Sequence, residues 1–117
     1  MKFALLIYED EKYYEEATPA DWEAAMVAHN AFGAEAAERG MDPSGDALQP
    51  TATGRTVRFT NRGQKTLVTD GPYAETKEQL GGFYLLDCKD IGEALEMAKK
   101  LPVQEGAVEV RPVVVFE

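Results

Sequence analysis

Val68-Thr-Asp-Gly-Pro-Tyr-Ala-Glu-Thr-Lys-Glu-Gln-Leu-Gly-Gly-Phe-Tyr-Leu-Leu-Asp87 decides how this chain is read, because it holds a strand, a break and a second strand. The first strand stops at Asp70-Gly71-Pro72, since proline has no amide hydrogen for a ladder and glycine turns without steric cost. The second, Gly82-Phe-Tyr-Leu-Leu-Asp87, is apolar on both faces, as a strand covered on both sides must be. Asp70 therefore sits at a strand end, a position from which binding or catalytic groups are often displayed.

Working upstream, Arg55-Thr-Val-Arg-Phe-Thr60 alternates and Lys65-Thr-Leu-Val-Thr69 mirrors it across Asn61-Arg-Gly-Gln64, the pattern of a hairpin with a four-residue loop. Residues 41–54 read as loop, rich in Asp, Pro, Ser, Gly and Thr, with a short strand around Leu48 only weakly signalled. Before them lies a helix. Thr18 is a suitable N-cap, Pro19 fits the first helical position, Asp21 places negative charge in the first turn, and Gly40 supplies the stop. Trp22, Met26, His29, Gly33 and Ala36 recur at helical period and form one stripe, with His29 near the middle of the expected buried face. Phe3-Ala-Leu-Leu-Ile-Tyr8 is a strand apolar on both faces, and Glu9-Asp10-Glu11 reads as a solvated loop ending it rather than as a metal site.

Downstream, Asp90 and Glu93 form a capping-box-like pair, and Ile91, Ala94, Leu95, Ala98 and Leu101 give a second helix its buried face. Val108 to Phe116 reads as the last strand, with Glu109 and Arg111 on one side and Val110, Pro112, Val114 and Phe116 on the other. The order of elements calls for two β-α-β halves with right-handed crossovers. The expected fold is α+β, a ferredoxin-like sandwich of the dimeric α-β barrel type. It has an antiparallel sheet, two helices on one face and an extra β-hairpin, in one domain over residues 1–117. Helices cover only one face of such a sheet, so its two-sided strands call for a second copy on the other face.

Composition narrows the classes of function. The apolar fraction of 44% with 28% charged residues belongs to an ordinary folded domain. Twelve basic against 21 acidic residues give a net charge of -9, without the clustered basic surface that phosphate binding requires, so neither nucleic acid nor an anionic membrane is an expected partner. One Cys and one His cannot build a four-ligand zinc site, and no metal or cofactor is called for. The start of the chain has no signal-peptide pattern and no apolar run approaches the ~20 residues of a membrane span, which points to a cytoplasmic protein.

Thr69-Asp-Gly-Pro-Tyr-Ala-Glu-Thr-Lys-Glu78, followed by Leu80-Gly-Gly-Phe-Tyr84, resembles the Asp-Gly-Pro-Phe (DGPF) branch of the YCII-related proteins. The resemblance extends through the opening strand, Val108-Glu-Val-Arg-Pro112 and the His on the first helix, and so covers essentially the whole chain. Tyr73 stands where the branch usually carries Phe, a difference of one hydroxyl. The resemblance implies a ferredoxin-like fold that dimerises through its sheet, and an active site proposed on a His and an Asp. It also implies kinship with a relative that eliminates chloride in chlorinated-aromatic degradation, and with proteins encoded near alternative sigma factors.

The candidate catalytic residues are His29 and Asp70. His29 is the sole imidazole, suited to moving a proton near neutral pH, and its alternative is a core histidine satisfied by a backbone carbonyl. Asp70 can orient His29 and stabilise an imidazolium, or can be a turn-former before Gly71. Tyr73, Tyr84 and Arg111 are candidates for binding substrate, Arg111 as partner for an anion. Gly81-Gly82 is expected to serve close helix-on-strand packing, and Cys88 to be a small buried residue. The functional expectation is a cofactor-free lyase- or hydrolase-like enzyme acting on an aromatic or carbonyl-bearing small molecule, with loops 41–54 and 70–79 closing over it. The alternatives are a non-catalytic dimeric module, binding a ligand or regulatory partner in sigma-factor stress signalling, and a purely structural dimerisation domain.

Overall fold

Along the first strand, β1 (Lys2–Asp10), Phe3, Leu5 and Ile7 alternate with Ala4, Leu6 and Tyr8, so both faces are apolar. In the computed structural model, which describes residues 1–116, this strand takes the centre of a sheet. Its neighbours are β5 (Glu78–Asp87) and β6 (Gly106–Pro112), and β2 (Ser44–Ala47) adds beyond β5. The order β2-β5-β1-β6 is antiparallel throughout, which is the ferredoxin-like arrangement. A separate two-stranded sheet, β3 (Arg55–Thr60) with β4 (Lys65–Asp70), is the expected extra hairpin, its loop at residues 61–64.

Two helices cover one face. The first, α2 (Pro19–Glu38), opens with a full capping box. The Asp21 amide donates to Thr18 Oγ1 at 3.2 Å, and the Thr18 amide donates to Asp21 Oδ2 at 2.9 Å. The other, α3 (Ile91–Ala98), starts with the Glu93 amide donating to Asp90 Oδ1 at 2.9 Å. Glu93 reaches back to the Lys89 amide rather than to that of Asp90, so the box is one residue wider than its pattern implied. Phe32 and Ala36 of α2 and Ala94 and Met97 of α3 pack onto Phe3, Leu5, Ile7 and Leu86 of the sheet. Met41, which the loop reading of 41–54 passed over, is buried with them. Each large side chain removed from water here contributes about 1.5–3 kcal/mol.

Four elements differ from expectation, each for a local reason. Glu9-Asp10-Glu11 is no solvated loop, because Asp10 caps a short helix, α1 (Glu11–Glu15), by accepting from the Lys12 amide at 3.0 Å. Strand β5 begins at Glu78, earlier than Gly82, since β1 runs on to Asp10 and supplies partners that far. Strand β6 ends at Pro112 and not at Phe116, because Pro112 already lies opposite Phe3 and β1 has almost no residues left to pair. The edge strand lies at Ser44–Ala47, just before Leu48. No helix of the described residues is long and apolar enough to cross a membrane.

Candidate functional site

The helical stripe on α2 faces the sheet as its spacing implies, but only its C-terminal half is packed there. Ala36 is fully buried, whereas Trp22 is 51% and Met26 65% exposed. The first half of α2 is held off the sheet, and a cavity of ≈ 530 Å³ separates the two. That is within the roughly 300–1,000 Å³ usual for small-molecule sites. Trp22, Met26 and His29 form its helical wall, and Ile7, Gly82 and Tyr84 lie on the sheet side. Tyr14 of α1 and the segment from Gly45 to Pro50 close its ends.

Several local features shape the cavity. Glu11 accepts from the Thr51 amide and from Thr51 Oγ1, both at 2.8 Å, which ties α1 to the segment beyond Leu48. Gly81 is the extra residue of a β-bulge, since Ile7 pairs with Gly82 and Tyr8 with Leu80. Its carbonyl accepts from the Leu48 amide at 2.8 Å. Gly82 then lies against the β2 backbone, where a Cβ would meet Asp46 O at 3.1 Å. The Gly81-Gly82 pair thus serves a bulge and a strand edge, not the helix-on-strand packing expected of it. Gly45, at φ 146°, is required outright: a Cβ there would sit 2.0 Å from the Phe83 carbonyl oxygen.

His29 Nδ1 lies 2.8 Å from the Tyr84 hydroxyl, and the rings stack at 5.9 Å with 21° between planes. Phe32 packs on the other aromatic at 4.6 Å, fixing Tyr84 where β5 presents it. Burial lowers the His29 pKa from its ordinary value and raises that of the Tyr84 hydroxyl, so both are held neutral. If the phenol donates to Nδ1, Nε2–H is a donor. If Nδ1–H donates to the phenolic oxygen, Nε2 is a base. Across the cavity, Tyr14 donates to Glu9 Oε2 at 2.8 Å and packs on Trp22 with ring centroids 4.9 Å apart and planes tilted by 38°. Desolvation raises the Glu9 pKa, with the Tyr14 hydrogen bond opposing it.

Of the five residues singled out in the sequence, the fold brings together His29 and Tyr84. Asp70 is not among the cavity's lining residues. It ends β4, its side chain is 94% exposed, and its partner is Arg55 at 3.5 Å. Gly71, at φ 85°, makes the turn that carries the chain away. Tyr73 is exposed and offers its backbone carbonyl to Arg58, while Arg111 pairs with Glu109 at 3.1 Å on edge strand β6. Of loop 41–54, Gly45 to Pro50 line the cavity; nothing of loop 70–79 does. Cys88 is buried, and that burial, with Glu93 nearby, raises its thiol pKa. Glu9, Tyr14 and Leu48 were missed as site residues. The acidic cluster looked like solvent-facing loop, and a five-residue helix leaves no periodic signal.

The YCII-related domain model matches residues 1–117. The chain belongs to the YCII-related family. An uncharacterised protein of Rhizobium meliloti (strain 1021) is 37% identical over 120 residues, spanning 100% of this chain and 95% of that relative. For this YCII-related chain the likeness therefore extends from end to end, and every residue of the cavity lies within the matched range. Among its described residues no group of three or more His, Cys, Asp or Glu side chains is arranged to hold a metal ion.

Proposed function

We propose that this YCII-related protein binds a small organic molecule between α2 and the sheet, and that His29 moves a proton on it without a cofactor. The observation carrying this reading is the 2.8 Å contact of His29 with Tyr84 on the wall of an apolar, aromatic cavity. With Nδ1–H donating to the phenolic oxygen, Nε2 keeps its lone pair for the bound molecule. A proton taken up there makes an imidazolium whose Nδ1–H still points at the Tyr84 oxygen dipole. Such a pair suits lyase- or hydrolase-type chemistry on an aromatic or carbonyl-bearing compound.

A second reading is a non-catalytic sensor, in which the pair only recognises a ligand and passes its presence to a regulatory partner. The exposure of Asp70, far from any role in stabilising an imidazolium at the cavity wall, favours it. In either case two copies pair through the sheet face the helices leave uncovered, which carries the half-buried Ala4, Leu6, Tyr8 and Leu85. The unpaired Cys88 suits a reducing compartment such as the cytoplasm.

A compound library screened by thermal shift against wild type and His29→Ala tests the shared core of both readings. Compounds that stabilise the wild type should lose their effect in the variant, and an identical profile in the two proteins would make His29 structural. Overnight incubation of each hit with protein then separates the readings. Conversion of the compound that His29→Ala does not perform supports the enzyme, and an unchanged compound supports the sensor.

A further inference from the structure

The charged side chains around the cavity are of one sign. Glu9, Glu11, Glu15 and Asp46 line it, and not one Lys or Arg does. Glu11 is spent on Thr51, with both carboxylate oxygens occupied. Glu9 is different: it is half-buried and forms no ion pair among the described residues. Tyr14 satisfies its Oε2 alone. A partly desolvated carboxylate gains most from a charge that arrives with the ligand. Beside it stand the Tyr14 and Trp22 rings, 4.9 Å apart, whose faces attract cations and repel anions. The other walls, from Ile7, Met26 and Leu48, offer only apolar contact.

We propose that the cavity selects a small amine, its ammonium seated on Glu9 beside Tyr14 and Trp22 and its aromatic or aliphatic body lying along Met26 and Leu48 toward His29. The proposal rests on the reading of this cavity as a ligand site and adds the class of compound. Carboxylates and phosphates are rejected, because the lining offers them no cation and four carboxylates repel them. Arg111, the anion partner the sequence suggested, is engaged with Glu109 and takes no part in the lining.

Three probes of one shape test it: phenethylamine, the neutral 2-phenylethanol and the anionic 3-phenylpropionate. The chain has a single histidine, so its ring resonances report occupancy without assignment ambiguity. Phenethylamine should shift those resonances and bind roughly tenfold more tightly than the alcohol, with no shift from the carboxylate. Glu9→Gln, which keeps an acceptor for Tyr14, should bring amine and alcohol to similar affinity. Binding of the carboxylate as tight as that of the amine would overturn the proposal, as would an amine affinity untouched by Glu9→Gln. If the alcohol binds at His29 and the amine does not, the cavity remains a ligand site and only the class is wrong. If none of the three binds, the amine assignment fails, and the library screen alone decides whether the cavity is a site.

Discussion

His29 and Tyr84 make a pair whose ionic forms the protein disfavours on both sides, and this sets a pH dependence with a definite sign. Burial depresses the folded-state pKa of His29 below the ordinary value near 6.5, so between the two values the unfolded chain binds more protons than the folded one. Stability from this group is therefore complete above about pH 6.5 and is lost as the pH falls through the folded-state value. Glu9 acts the other way. Its raised pKa makes the ionised carboxylate a cost of folding, relieved as the pH falls through its folded-state value from above. Comparing wild type with His29→Asn by denaturant titration at several pH values isolates the histidine: the wild-type advantage should shrink on acidification below about pH 6.5. Histidine resonances titrating above that value would contradict the assignment. Tyr84→Phe removes the hydroxyl that satisfies Nδ1 and should cost about 1 kcal/mol while leaving the stacked geometry in place. Cys88, buried with its thiol pKa raised, should react with a thiol reagent only when the protein unfolds.

Among the elements, α2 was almost fully legible in the sequence, because its start and stop are written in local chemistry. The Thr18–Asp21 box is such a signal, and Thr18→Ala should cost about 1 kcal/mol by thermal or chemical denaturation. What the 3.6-residue period could not give was the cavity. A stripe of Trp22, Met26 and His29 specifies which way a helix faces, not whether anything packs against it. Strand β2 was hard to see because Ser44-Gly-Asp-Ala47 has no apolar alternation, and its place is fixed by Gly45 meeting the Phe83 backbone. Gly45→Ala puts a Cβ into that backbone and should cost about 3 kcal/mol or more. With β2 displaced the cavity loses one wall, so ligand-dependent thermal shifts should vanish in this variant even where a folded fraction remains. Asp70 was misplaced for a similar reason. Its place before Gly71-Pro72 identified a turn correctly, but the hairpin that carries it is a separate two-stranded sheet that adds nothing to the cavity lining.

For the whole molecule, dimensions add to the case for a second copy. The radius of gyration is 16.2 Å, against roughly 13 Å for a compact domain of about this length. The molecule is 46 × 46 × 17 Å, one sheet thick with a single helical layer. The excess comes from parts that do not pack on the core. Val57 pairs with Val68 across the β3–β4 hairpin and Phe59 shares their side, yet all three are exposed, Phe59 by 67%. A two-stranded hairpin without a surface to lie on is marginal in water. Val114 to Phe116 are also exposed, Phe116 by 90%. Stable pairing buries about 800 Å² per partner, and the open sheet face with the hairpin and the C-terminal segment is the apolar surface available for it. Light scattering at micromolar concentration should therefore give twice the 12.9 kDa chain mass. Leu6→Arg, placed on the open face and away from the packed face of Phe3, Leu5 and Ile7, should give a folded monomer. Phe59→Ser should weaken the dimer if the hairpin reaches across to the partner, and leave it unchanged if the sheet face alone makes the contact. A wild-type protein that stays monomeric would mean that the uncovered strands and the hairpin are stable in water by themselves, without a second copy on their apolar face.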